Sequence, residues 1–474
     1  MMRWSIMALV ALIAVAHGAA EANKAVVVPS VIWYAPFLSG GGYCSEAHSY
    51  VTALHEVMHE DVAQEPETAQ HGDDVISGAG STTGGSEPQK PAKLFNLYLT
   101  QHGDSYNAAF IRNLPEESRD VLEQHWIEER DFHWRLKKQL VAIAVCHSEP
   151  GAWHPARYKT SRCPPAQAMI KVGRTMFETD RVPKGWPERM NKMDEIWVPT
   201  KFQEKIFADG GVEEEKLVVV PEAVDIHFFD PAKVSAAYDL ASQVKFTMTD
   251  STTVFLSIFK WEERKGWKIL LKAYFQAFAR QDDVVLVLLT NAYHVEEESA
   301  KDFMETIEAF TMAELGKKLS ELPHLHLLPP HIPQSQMPSL YKAATAFVLP
   351  SRGEGWGRPH VEAMSMGLPL ISTFWSGMTE YMTEENSYPL RIDGLVEIED
   401  GAFRGHKWAN PSVDHLIELM THEARKKGKQ ARQDMVTRFS PEVIGKIVLG
   451  HFKRLLKSLE DANDDVDSTK HEEL

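Results

Sequence analysis

The sequence predicts an α/β protein built from two doubly wound, Rossmann-like domains, and three observations carry that prediction. The chain has 474 residues, more than one ordinary core encloses, so two domains of about 200 residues each are expected. Short apolar runs alternate with longer amphipathic segments, the pattern of parallel strands covered on both faces by helices. The alternation comes as two series, which meet near "PEAVDIHFFDP" at residues 221–231.

In chain order, residues 1–22, "MMRWSIMALVALIAVAHGAAEA", have the layout of a secretory signal peptide: Arg3, an apolar run from Ile6 to Ala16, then Gly18, Ala19 and Ala20. An uncleaved signal anchor is the alternative, although the run is short for a bilayer span. No later segment is long and apolar enough, so no integral membrane segment is expected after signal removal.

Residues 23–227 carry the first series: "AVVVPSVIWYAPF" (25–37), "LFNLYLT" (94–100), "QLVAIAVCH" (139–147), "EIWVPT" (195–200) and "KLVVVPE" (216–222). Inside it, residues 63–92 have almost no large apolar side chains and much Gly, Ser, Thr and Pro, which predicts a flexible surface insertion. Residues 228–440 carry the second series: "TTVFLSIFK" (252–260), "VVLVLLTN" (284–291), "LHLLPP" (325–330), "AFVLPS" (346–351) and "LPLIST" (368–373). An amphipathic helix is expected over 441–460, then a disordered acidic tail over 461–474. The tail ends in "HEEL", His471–Leu474, a variant of the Lys/His-Asp-Glu-Leu address read by a retrieval receptor. Leader and address together predict a soluble protein of the endoplasmic reticulum lumen.

A formal charge of -17 argues against nucleic acid or an anionic membrane face as the main partner. Local basic clusters can still hold a phosphate. Of the cysteines, Cys44, Cys146 and Cys163, one disulfide plus one free thiol is one arrangement. Cys146, His147, His154 and Cys163 share one stretch, but their spacing matches no usual zinc pattern, and no metal is expected. Asn410 is no glycosylation acceptor, because Pro411 follows it.

The most informative stretch is "SRGEGWGRPHVEAMSMGLPLIS", residues 351–372. Gly353, Gly355 and Gly357 disfavour a helix there, so Glu354 is placed on a loop at the carboxyl end of a strand. Pro359 and Gly367 suit the first position and the stop of a short helix from Pro359 to Met366, with Glu362 near its amino end. Ligands of open parallel sheets bind at such strand ends. A carboxylate accepts two hydrogen bonds at once, so each glutamate can grip a vicinal diol. The plainer reading makes Glu362 a dipole complement and Glu354 a solvated loop charge.

A second candidate lies at "RKG". Leu270, Leu271, Tyr274, Phe275 and Phe278 recur at helical spacing, so a helix begins near Gly266 with Arg264 and Lys265 at its amino end. Cations oppose the helix dipole there unless an anion sits between them. Gly40, Gly41 and Gly42, after the first strand, leave room for a phosphate or an acceptor to approach the backbone.

"EGWGRPHVEAMSMGLPLISTFWSGMTEYM" resembles the Glu-x7-Glu signature of retaining family 4 glycosyltransferases, which have the GT-B fold. The resemblance extends through "SGGGYCSEA", "TMFETDRVPKGW", "DEIWVPTKFQEKIFADGGV", "VPEAVDIHFFDP" and "SIFKWEERKGWKILLKAY", most of the chain. It implies that Glu354 holds the donor sugar, Glu362 the ribose hydroxyls and Lys265 the diphosphate. It further implies a histidine facing the donor sugar, here His147, and a final helix that crosses back to the first domain. Gly355, Trp356 and Gly357 fall in the donor loop, and Ser376 and Gly377 open a helix whose N–H groups meet the diphosphate. The family's second phosphate-binding arginine falls at Phe259, and the adjacent Lys260 is the candidate substitute.

The implied reaction is retaining, metal-independent transfer from a nucleotide sugar, UDP-sugars being favoured by the lumenal address, to a glycan, protein or small-molecule acceptor. A noncatalytic lumenal nucleotide- or sugar-binding protein and a retaining disaccharide phosphorylase are the alternatives.

Overall fold

The structure, a computed structural model, describes residues 28–472 apart from 65–93, 132–140, 293–299, 422–426 and the positions 104, 129, 158, 159, 330 and 331. The leader, nearly all of the 63–92 insertion and the last two residues of the retrieval address lie outside the described residues.

Two six-stranded sheets form the framework. The first contains β1 (Ser30–Ala35), β2 (Asn96–Gln101), β3 (Val141–His147), β4 (Ile170–Arg174), β5 (Glu195–Val198) and β6 (Leu217–Val219), in the order β2-β1-β3-β4-β5-β6. The second contains β7 (Thr253–Trp261), β8 (Val284–Ala292), β9 (His324–Leu327), β10 (Ala346–Leu349), β11 (Leu370–Thr373) and β12 (Tyr388–Leu390), in the order β12-β11-β10-β7-β8-β9. Every pairing within both sheets is parallel. The uninterrupted runs "SVIWYA" and "VAIAVCH" become β1 and β3, buried at every position, as strands covered on both faces must be. An antiparallel pair, β13 (Ile392–Glu397) with β14 (Lys407–Pro411), follows the second sheet.

Strand β4 has no counterpart in the sequence reading. "IKVGR" mixes Lys171, Gly173 and Arg174 into a short apolar run, and that hides it. Tertiary contacts explain both irregular residues: a Cβ on Gly173 would stand 2.4 Å from the Trp153 ring, and Arg174 is fully buried against Glu46.

The helices that position the site are α1 (Gly42–Gln64), α2 (Lys201–Asp209), α3 (Trp267–Ala277), α4 (Arg358–Ser365) and α5 (Pro441–Glu472). Helix α5 returns to the first sheet, where Phe452 packs 6.1 Å from Trp33 and 5.5 Å from Trp197, ring centre to ring centre. Gly445 lets it settle on α1, since a Cβ there would lie 2.3 Å from the Ala53 carbonyl oxygen. The helix continues to Glu472, through the segment expected to be a disordered tail. No glycine or proline follows Gly450, so nothing in the chain stops it.

Cys146 and Cys163 form a disulfide with Cα atoms 5.7 Å apart, and Cys44 is a buried free thiol. Among the described residues no group of three His, Cys, Asp or Glu could hold a metal ion, and no helix is long and apolar enough to cross a membrane.

Candidate functional site

Gly266 determines where the cationic segment sits. It adopts φ +68°, and a Cβ there would lie 2.0 Å from the Pro350 carbonyl oxygen at the end of β10. Only glycine combines that backbone with that approach. The Arg352 N–H also donates to the Arg264 carbonyl at 2.7 Å. The two loops are thereby locked side by side, and Lys265 and Arg264 meet Glu354.

Lys265 Nζ donates to both Glu354 oxygens, at 2.7 and 2.8 Å, and Arg264 Nη1 donates to Oε2 at 2.9 Å and to the Gly353 carbonyl at 2.8 Å. Arg264 is further flanked by Glu262 at 2.8 Å and by Glu178 of the first half at 3.2 Å. Glu354 is 6% exposed. Burial works against its charge, but Lys265 and Arg264 prevail and hold its pKa at about 2. Burial and the neighbouring Arg264 lower the pKa of Lys265. The anion that relieves this cationic helix start is therefore the protein's own Glu354.

Glu362 lies on α4 and is partly exposed. Its Oε2 accepts from the Tyr341 hydroxyl at 2.8 Å, and burial raises its pKa against the influence of Arg358. It lines a cleft of about 330 Å³ between the halves, together with Gly40 and His48 from one side and Gln334 and Arg358 from the other. Arg358 Nη1 lies 3.5 Å from Glu222, a residue 1% exposed whose pKa burial and Glu46 raise to about 8.

His147 does not face this cleft. It is fully buried, with Nδ1 accepting from Trp33 Nε1 at 3.2 Å and Nε2 donating to Glu46 at 2.9 Å. Both ring nitrogens are occupied, leaving none for a sugar. Burial opposes the charge on Glu46, which Arg174 and His147 nevertheless keep ionised.

The donor-loop candidates make contacts within the protein. The Trp356 ring is buried against Tyr381 and Phe439, at 5.2 and 5.5 Å, so it is core. A Cβ on Gly355 would stand 2.4 Å from Met176 Sδ, and the Gly355 carbonyl accepts from Gln203 at 2.6 Å. Its missing side chain therefore serves contact between the halves. Gly357, at φ +98°, turns the loop into α4. Gly377 N–H donates to the Glu354 carbonyl at 3.0 Å, and Ser376 Oγ donates to that same carbonyl at 2.9 Å. Both groups fix the Glu354 loop. Lys260 sits near the end of β7 with an exposed side chain, whereas the cation that joins Lys265 at Glu354 is Arg264. Gly41 and Gly42 leave space, with no atom closer than 3.6 Å to a Cβ on Gly41 and none within 4 Å of one on Gly42.

Glu178 is a site residue that sequence reasoning did not place, and the contact of Arg264 with Glu354 was not read either. Arg264 was visible beside Lys265 at the helix start. Glu178 had no local signal, because its role depends on how the halves meet.

Residues 250–400 match the family described as Glycosyl transferases group 1. Mannosylfructose-phosphate synthase of Agrobacterium fabrum is 21% identical over 173 residues, 36% of this chain and 36% of that protein. O-antigen chain mannosyltransferase B of Escherichia coli is 42% identical over 50 residues, 10% of this chain and 13% of that protein. The chain thus spans about a third or less of the length of these curated relatives. Among solved structures, a glycosyltransferase from Rickettsia africae ESF-5 superposes with a TM-score of 0.55 at 14% identity, covering 91% of this chain and 99% of that one. Sucrose-phosphate synthase from Thermosynechococcus elongatus gives 0.55 at 13%, covering 91% and 100%. HepE of Anabaena in complex with UDP gives 0.55 at 13%, covering 90% and 100%. With the two parallel six-stranded sheets, these likenesses identify an α/β protein of GT-B fold.

Proposed function

We propose that this protein is a retaining glycosyltransferase of the family 4 type, moving a sugar from a nucleoside diphosphate to an acceptor without a metal. The observation that carries the reading is the buried Glu354 held by Lys265 and Arg264 at the carboxyl end of β10, eight positions from Glu362 in the cleft. When the glycosidic bond breaks, negative charge collects on the leaving diphosphate while an oxocarbenium-like centre develops on the sugar. Lys265 and Arg264 supply the countercharge to the diphosphate. Glu354, ionised at any physiological pH, is then released to accept hydrogen bonds from sugar hydroxyls. Glu362 holds the ribose diol. His147 takes no part, except by bracing β3 beneath the cleft.

The donor base is argued by likeness alone: HepE of Anabaena was solved with UDP-glucose as well as UDP, which supports a UDP-sugar. The acceptor is a glycan, a protein or a small molecule. Retention in the endoplasmic reticulum lumen is proposed from the leader and from His471–Leu474, and the Cys146–Cys163 disulfide supports an oxidising compartment. One observation favours a noncatalytic sugar-binding protein instead: Glu354, Glu262 and Glu178 already neutralise the cations that a diphosphate needs.

A thermal-shift panel of nucleoside diphosphates and nucleotide sugars tests donor binding. A ligand present at 100 times its dissociation constant adds about 2.7 kcal/mol of stability. Transfer by Lys265→Ala, assayed with the donor so found, is expected to fall by a factor of about 10² to 10³. Undiminished turnover in that variant removes the lysine from the mechanism, and a panel with no stabilising nucleotide removes the reading.

A further inference from the structure

The cleft that contains Glu362 has a second wall, supplied by α1, and two polar atoms on that wall are buried without a partner among the described residues. The first is His48 Nδ1. His48 is 6% exposed, and its Nε2 lies 3.0 Å from the Phe37 carbonyl oxygen. A carbonyl only accepts, so Nε2 carries the hydrogen and Nδ1 of the neutral ring presents a lone pair. Burial lowers the His48 pKa, and Arg358 lowers it further, so the ring is neutral at pH 7. The Phe37 and Phe110 rings meet it edge-on at 5.6 and 5.9 Å and fix its orientation. The second atom is Thr52 Oγ1, four residues along the same helix and lining the same cleft. Ser45 and Ser49 share that face.

Unpaired polar atoms that line a cavity have their bonding completed there by water or by a ligand. Their chemistry selects the ligand. A lone-pair nitrogen and a carboxylate both require O–H or N–H donors, and Thr52 both donates and accepts. A phosphate is chiefly an acceptor and, as an anion, would also face Glu362 and Asp225, which line the same cleft. A vicinal diol supplies two O–H donors at once.

We propose that His48 and Thr52 are donor-binding residues: one ribose hydroxyl of the nucleoside diphosphate donates to His48 Nδ1 on the α1 wall and the other to Glu362 on α4, while Thr52 Oγ1 donates to a ribose oxygen. The proposal rests on the glycosyl-transfer reading and adds to it a contact from the first half of the molecule. The nucleoside is then gripped by both halves, and its binding holds them together.

Titration calorimetry on the full chain tests this with UDP, GDP and ADP and with the 2′- and 3′-deoxy forms of whichever binds. Wild type is expected to bind each deoxy form roughly tenfold more weakly, the worth of one buried hydrogen bond. In His48→Phe, which keeps the aromatic packing, the ribonucleotide should weaken by a similar factor, and discrimination should vanish against one deoxy form and persist against the other, whose hydroxyl Glu362 receives. His48→Asn, whose amide oxygen stands where Nδ1 was, should restore part of the affinity and of the lost discrimination. Thr52→Val gives a second, nearly isosteric variant. Wild-type discrimination against both deoxy forms retained in His48→Phe and in Thr52→Val overturns the proposal. So does a His48→Phe enzyme whose nucleotide affinity is unchanged and whose acceptor KM rises, because the cleft is then the acceptor's. A wild-type chain that binds none of the three diphosphates removes the donor reading itself.

Discussion

Glu222 shows how far the fold will bend one residue's chemistry. Its carboxyl is 1% exposed, Oε1 has no partner among the described residues, and Arg358 reaches Oε2 only at 3.5 Å. Its pKa rises from 4.5 to about 8, burial and Glu46 being the causes that raise it. Below pH 4.5 the carboxyl is protonated folded and unfolded, and it adds no pH dependence. Above that, the unfolded chain ionises while the folded one holds its proton, so stability falls as pH rises toward 8, by up to about 1.4 kcal/mol per pH unit. Glu222→Gln removes this slope. Urea midpoints measured from pH 5 to 8 should therefore decline less in the variant than in wild type, and parallel curves would show that Glu222 is ionised throughout. The Glu354 pair behaves differently, because its two members do not gain equally. The carboxylate is strongly favoured as an anion, whereas Lys265 is disfavoured as a cation by burial and Arg264. The pair therefore contributes less to stability than the carboxylate shift alone suggests.

At the scale of elements, the site is made by glycines that let loops touch. Gly266→Ala would place a methyl 2.0 Å from the Pro350 oxygen on a backbone at φ +68°. The variant should lose a few kcal/mol of stability and bind its nucleotide at least tenfold more weakly, since the Lys265 loop must move off β10. A melting curve and a nucleotide titration check both, and an unchanged affinity would show that Lys265 finds its place without this contact. The glycine-rich loop after β10 was legible in the sequence as a strand-to-helix connection, and α4 falls within a residue of where Pro359 and Gly367 place it. The purpose of its glycines was not legible. Gly353 and Gly355 fit against Glu178 and Met176, and no local pattern records partners from the other half of the chain. His147 was misplaced for a related reason. The end of a strand is readable from an apolar run, but which face the last side chain takes is decided by Glu46 and Trp33, which arrive from α1 and β1.

For the whole molecule, the question is what holds the halves together when no donor is bound. The segment after β4 and helix α2 supply the answer: Gln203 donates to the Gly355 carbonyl, Ser376 Oγ donates to the Glu178 carbonyl at 3.1 Å, and the Lys407 N–H donates to Asp180 at 2.7 Å. Glu178 adds its carboxylate to Arg264 at 3.2 Å, so one of the cations proposed for the diphosphate is also a tie between the halves. A diphosphate that takes Arg264 must displace Glu178. The pair is partly exposed, 21% and 24% for its two side chains, which limits its worth to about 0.2–1 kcal/mol. Glu178→Gln keeps the backbone contacts, including the Glu178 carbonyl that Ser376 uses, and removes only the competing charge. The nucleoside diphosphate should then bind about two- to fivefold more tightly at low salt, and the gain should shrink as salt screens the pair in wild type. Small-angle scattering of the ligand-free variant should show a larger radius of gyration than wild type, and saturating nucleotide should bring the two to the same value. Equal affinities at every salt concentration, with identical scattering, would mean that Glu178 neither competes with the donor nor ties the halves, and closure would then rest on the other contacts, those of Gln203, Ser376 and Asp180 among them.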